Sequence, residues 1–188
     1  ARHCLEANIN VTAVIKGDEE QIKGAAKEAL DELLGNGGQI QQWDEKQLEQ
    51  ADVIVDAIFG TGLDRAIDDP QKSIIRAVNA SKKPVLAIDI PSGLCADTGD
   101  ILGVAIQARL TATFIGNKRG VFTGMGPQHC GYVVFDDLQV PDRIFTIETN
   151  AQIIDGEKVR SFFPPRHRAA HKGENGHILI VGGYIGMS

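Results

Sequence analysis

"ADVIVDAIFG", Ala51 to Gly60, decides the fold, because its apolar residues run on almost without alternation. A strand with one wet face reads apolar, polar, apolar, whereas a near-continuous run is expected of a parallel strand covered on both faces. A second run of the same kind, "KPVLAIDI" (Lys83 to Ile90), follows about 30 residues later. Between them Asp69 and Pro70 form a good N-cap and N1 pair for a helix carrying Ile74, Ile75 and Val78. Strand, helix and strand in that order are the alternation expected of an α/β domain with a mainly parallel sheet.

Outward from this unit the alternation continues. "ARHCLEANIN" reads as the back half of a helix, and Val11 to Ile15 as a short β-branched strand. Asp18 is placed as N-cap of a helix in which Ile22, Ala25, Ala26, Ala29, Leu30 and Leu33 recur at helical spacing, with Gly35 closing it. Gln39 to Trp43 is a weaker strand and Glu45 to Gln50 a short helix. "RLTATFIG" and "GYVVFDDL" add two strands after a glycine-rich excursion. The expected class is α/β, a Rossmann-like three-layer sandwich around a mainly parallel sheet. From about Thr149 a short helix capped by Asp155, with Val159 and Phe162 on one face, leads through a basic, proline-rich stretch to "HILIVGG". That segment reads as the entry to a second α/β domain.

The 188 residues are 43% hydrophobic and 23% charged, with a formal net charge of -6, an ordinary balance for a globular protein. The acidic balance provides no footprint for nucleic acid or an anionic membrane surface. No apolar run approaches the roughly 20 residues that span a bilayer, and no secretory leader is recognisable. Cys4, Cys95 and Cys130 are scattered, so neither a disulfide framework nor a zinc site is implied. The five histidines show no metal-ligand spacing. The expected setting is the cytoplasm. The chain starts without a methionine and stops just past a strand, and both ends read as cut.

In open parallel sheets ligands sit beyond the carboxyl ends of the strands, and there the unusual residues collect. Asp89 ends a buried strand, followed by Pro91, Ser92 and Gly93. It either caps its own turn by accepting from the Ser92 or Gly93 N–H, or gives and takes protons for a bound ligand. Gly60, Thr61 and Gly62 are either a flexible turn or a loop bringing backbone N–H groups to a phosphate, with Arg65 adding charge. A dinucleotide fingerprint would need glycine where Arg65 stands, so a standard NAD dehydrogenase is not indicated. Asp56, inside "VIVDAIF", is either satisfied by backbone N–H groups or neutralised by a cation. In the second case Asp56 and Ser92 would supply hard oxygen ligands to a weakly charged ion.

"DAIFGTGLDR", "AIDIPSGLCADTGD" and "NKRGVFTGMGPQHCG", in this order and spacing, closely resemble the N-terminal epimerase domain of the NAD(P)H-hydrate repair enzymes, the YjeF N-terminal family. "HKGENGHILIVGGYIGMS" resembles the opening of the ribokinase-like dehydratase domain that follows it in bifunctional members. The resemblance implies an epimerase domain over residues 1–148, and over 149–188 a linker and the first segment of a ribokinase-like domain. It implies epimerisation of the R and S forms of hydrated NADH and NADPH (NADHX and NADPHX) at nicotinamide C6. An ADP-dependent (or ATP-dependent) dehydration of the S form would lie in the rest of the longer protein. Position by position, Asp89 falls on the acid/base and substrate contact. Gly60, Thr61, Gly62, Leu63, Asp64, Arg65 and Ala66 fall on the substrate loop, and Asp56 and Ser92 on ligands of a potassium ion. A homo-oligomer without nucleic-acid or membrane partners is expected. The family's first strand and Asn/Gly-rich loop would precede Ala1. A non-catalytic nucleotide-binding module on the same fold remains the alternative. A small-molecule kinase, suggested by the tail, lacks a phosphate-transfer aspartate in these residues.

Overall fold

The computed structural model describes residues 1–141, 143 and 151–163, together with the single positions 168, 169, 171, 173, 177 and 179. The chain divides into two units, Ala1–Phe145 and Thr146–Ser188.

The first unit is α/β, and its six described strands all pair in parallel. After α1 (Arg2–Glu6), β1 (Ala13–Ile15) and β2 (Ile40–Gln42) pair in parallel across α2 (Ala25–Gly35). Then come α3 (Gln47–Gln50), β3 (Ile54–Asp56), α4 (Asp69–Ser81), β4 (Val85–Ile88), β5 (Leu110–Phe114), α5 (Arg119–Phe122), α6 (Gly126–His129) and β6 (Tyr132–Asp136). These last four strands form one parallel sheet in the order β3-β4-β5-β6. Asp56 registers with Ala87, and Ile88 with Ala112, so their carboxyl ends lie along one edge.

One cluster joins the amphipathic α4 to the sheet: Ile74, Ile75 and Val78 pack with Val85, Ile67, Ile106 and Leu48. A second gathers Ile90, Leu94, Val121 and Cys130 beneath α5. Burial there pushes the Cys130 thiol up to about 11, an inert core position. His129 is a satisfied core histidine, its Nδ1 2.8 Å from the Ile106 carbonyl oxygen.

Several sequence expectations need correcting. The run at Ala51 to Gly60 is not covered on both faces. Ile54 and Asp56 turn inward, while Val53 and Val55 are more than half exposed. The reason is position: β3 ends its sheet, and the helical side chains of the main core pack on the Ile54 side. Asp18 does not cap α2. Its carboxylate accepts from the Glu20 N–H and caps a 3₁₀ turn, Glu19–Gln21, and Ile22 is extended. α2 begins only after Gly24, whose φ of 60° breaks the run. The α4 cap is Asp68, with Asp69 the first helical residue.

In the second unit Asp155 caps α7 (Gly156–Phe162) by accepting from the Lys158 N–H at 2.7 Å, as expected from the sequence. Val159 and Phe162 are both exposed. The expected strand at His177 to Gly183 lies, apart from positions 177 and 179, outside the described residues, as does His167. Among the described residues no helix is long and apolar enough to cross a membrane.

Candidate active site at the carboxyl edge of the sheet

Strands β4 and β5 leave the sheet in the same unusual way. Asp89 has φ 70° and the Ile90 N–H donates to the Ile88 carbonyl at 2.9 Å. Ile115 has φ 64° and the Gly116 N–H donates to the Phe114 carbonyl at 2.6 Å. Each is a three-residue turn of the rare, left-handed kind, centred on a side chain that disfavours it. Ile115 is the sharper case, because a β-branched residue at positive φ is an outlier. Strain of this sort persists where surrounding bonds over-determine it and gathers at functional sites. Here the Asp89 N–H is fixed to the Ala112 carbonyl at 2.7 Å and the Ile115 N–H to the Asp136 carbonyl at 2.9 Å.

The turn aims the Asp89 carboxylate sideways at β5. Its Oδ1 accepts from Thr113 Oγ1 and from the Phe114 N–H, both at 3.2 Å, and forms an ion pair with Lys118 Nζ. Ser92 and Gly93 donate nothing to it, so Asp89 does not cap its own turn. All three bonds fall on Oδ1. The other oxygen, Oδ2, has no partner among the described residues and is not fully buried, so it is left free to accept. Lys118 spends a second donor on the Phe114 carbonyl at 2.7 Å, and its third is unspent among the described residues. The sequence reading did not single out Lys118. Its only signal was membership of "GNKRGVFTGMGP" beyond a third strand end.

Asp56 and Ser92 face each other across neighbouring strand ends. Asp56 Oδ2 accepts from the Ser92 N–H at 2.8 Å, and Oδ1 from the Ser92 hydroxyl at 2.6 Å and from the Ile58 N–H at 3.3 Å. Ser92 Oγ in turn accepts from the Phe59 N–H at 2.9 Å, with the Phe59 carbonyl oxygen 3.3 Å away. Both side chains are almost fully buried. Burial raises the Asp56 pKa above the ordinary carboxylate value; the bonds from Ser92 and Ile58 oppose it and do not cancel it. The donors are all oxygen: a carboxylate, a hydroxyl and a carbonyl. That chemistry fits a hard, weakly charged cation. Among the described residues no three His, Cys, Asp or Glu side chains come together as a metal cluster.

The loop Gly60 to Ala66 leads from β3 toward α4 and is exposed except at Leu63, which packs against the main core. Thr61, Asp64 and Arg65 form no hydrogen bond or ion pair with other described residues. Gly60 and Gly62 have no positive φ, and a Cβ at either would meet nothing within 4 Å. The local fold therefore does not require glycine there, and the loop keeps an open backbone beside a free guanidinium. Asp56, Ser92 and Phe59 tie the base of this loop to the turn after Asp89.

The family described as YjeF-related protein N-terminus matches residues 1–120. Across all 188 residues the chain is 37% identical to the bifunctional NAD(P)H-hydrate repair enzyme Nnr of Coxiella burnetii and 38% identical to that of Vibrio cholerae. The chain spans only 38% and 37% of those two proteins. Over 90 residues, 48% of this chain and 43% of the relative, it is 47% identical to an NAD(P)H-hydrate epimerase of Limosilactobacillus fermentum. The crystal structure of yeast ynu0 superposes with a TM-score of 0.58 at 22% identity, over 72% of this chain and 57% of that one, a likeness of fold alone.

Proposed function

The chain belongs to the family of YjeF-related protein N-termini, and we propose that its first unit interconverts the R and S epimers of NADHX and NADPHX, with Asp89 as acid/base. The observation that carries this is Asp89 itself: a carboxylate anchored through Oδ1 on a strained turn, with Oδ2 left open. The names borne by the relatives supply the substrate. The Gly60 to Ala66 loop is the place for the dinucleotide phosphates, supported by its open glycine backbone and by Arg65, which has no partner among the described residues. The reaction is tested by incubating R-NADHX with the protein in potassium buffer and resolving the epimers by liquid chromatography. Appearance of the S form supports it; binding without turnover would favour the nucleotide-binding module.

Residues 149–188 are the linker and first segment of an ADP-dependent dehydratase domain on this reading, which the match of the bifunctional relatives along the whole chain supports. The setting is cytoplasmic, in keeping with three free cysteines.

Potassium is the cation we assign to Asp56 and Ser92. Bound there, it would neutralise the buried carboxylate and so hold the β3 end and the turn after Asp89 together. The sign of the pH effect follows from the raised Asp56 pKa. Below the ordinary value of 3.8 the group is protonated folded or unfolded and costs nothing. As pH rises through the folded value, the buried charge must form and stability is lost. A cation that binds the charged form returns it. Replacing tetramethylammonium by potassium at constant ionic strength is therefore expected to raise the melting temperature at pH 7, by about 5–10 °C at a hundredfold excess over Kd. At pH 4 the increment shrinks, and Asp56→Asn removes it. Equal melting in both salts would dispose of the assignment.

A further inference from the structure

We infer that Lys118 is the second proton-transfer group of the site, acting beside Asp89 on the two atoms that an epimerisation at C6 must protonate and deprotonate. The inference rests on the epimerase reading above and deepens it.

The hydrated ring carries a hydroxyl on C6, next to the ring nitrogen N1. That unit is a carbinolamine, and one of its bonds to C6 must break before the centre can invert. Breaking C6–N1 needs a base at the hydroxyl and an acid at the nitrogen together. Those two atoms share one carbon, so the two catalytic groups must stand side by side rather than face each other across a cleft. The structure has such a pair. Lys118 Nζ touches Asp89 Oδ1, and what the described residues leave unspent is one acceptor, Oδ2, and one ammonium hydrogen. Both groups are held: Lys118 by the Phe114 carbonyl, Asp89 by Thr113 and the Phe114 N–H. Their side chains are only 17% and 26% exposed, which limits competing water.

The step balances. The hydroxyl proton goes to Asp89 Oδ2 as C6–O becomes a carbonyl. The C6–N1 electron pair goes to nitrogen, which takes a proton from Lys118. Rotation about C5–C6 turns the other face of the aldehyde to N1. On reclosure N1 attacks C6, its proton returns to Lys118, and the new hydroxyl takes its proton from Asp89. Both groups end as they began, as an isomerisation requires.

A purely structural ion pair would be served as well by arginine, which keeps the charge and the bonds but stays protonated throughout the working pH range. The test compares wild type, Lys118→Ala and Lys118→Arg in the R-to-S assay. Both variants are expected to lose about 10²–10⁴-fold in kcat, with KM changed much less. Millimolar ethylammonium should restore the alanine variant at least several-fold and leave the arginine variant unchanged. Lys118→Arg preserves the ion pair and so decides the matter if the alanine variant folds poorly. Wild-type kcat in either variant overturns the role of Lys118 while the epimerase stands. Absence of conversion by wild type overturns the epimerase reading, and this inference with it.

Discussion

Asp89→Asn is expected to abolish R-to-S conversion, lowering kcat by about 10²–10⁴-fold with the fold retained. The substitution suits the question because asparagine tolerates the left-handed backbone better than most residues. Its side-chain oxygen can take over the bonds from Thr113, the Phe114 N–H and Lys118, which all reach the same atom. The group replacing Oδ2 then becomes an amide nitrogen, which cannot accept a proton. Lys118 loses its counter-charge, so a stability cost of about 1–3 kcal/mol accompanies the change. A variant whose kcat stays within a few-fold of wild type would end the acid/base role. An inactive variant that also unfolds at room temperature would show that the carboxylate is chiefly structural.

The second large effect falls on stability. Gly93 has φ 95°, and a Cβ there would sit well inside contact distance of the Val104 carbonyl oxygen and close to Ala105 Cα. Both obstacles are backbone, held in place by Leu102 N–H donating to Gly93 O and Ile106 N–H to Ser92 O. Gly93→Ala is expected to cost about 3–5 kcal/mol, combining left-handed strain with overpacking that has nowhere to relax. That lowers the melting temperature by about 10–15 °C. Gly62→Ala is the contrast, since its Cβ meets open space. It should leave melting almost unchanged, and on the proposed reading it raises the KM for the dinucleotide. Equal melting of the two variants would overturn the account of Gly93.

The parallel alternation of strand and helix was legible because apolar runs, caps and glycines act locally. β4, β5, β6 and α4 fall where the pattern puts them, and Asp56 and Ser92 do meet. What the sequence could not reveal depends on position in the fold. Val53 and Val55 read like their buried counterparts in β4, and only the order of strands makes β3 an edge. Asp18 has good cap chemistry, but Gly24 lies between it and the helical run, and the backbone breaks there. Lys118 escaped notice for a similar reason. Its partner lies 29 residues earlier, and no periodicity links a lysine after β5 to an aspartate after β4. The left-handed turns at Asp89 and Ile115 leave no compositional mark, since neither residue is glycine.

The excursion between β4 and β5 contains no helix, and it is fastened twice. It closes on itself through the Leu94–Ile101 bridge and the Cys95 N–H to Asp100 carbonyl bond. It then grips the segment after Lys118: Gly120 N–H donates to Ala96 O, Met125 N–H to Gly99 O, and Thr123 Oγ1 to Thr98 O. These bonds join the stretch that follows Asp89 to the stretch that follows Lys118, so the two are expected to open together. On the proposed reading, neither half of the acid–base pair would then fray alone. Local unfolding would then take both from the site at once, and on that reading a partly opened molecule would carry no half-competent centre that binds substrate without turning it over.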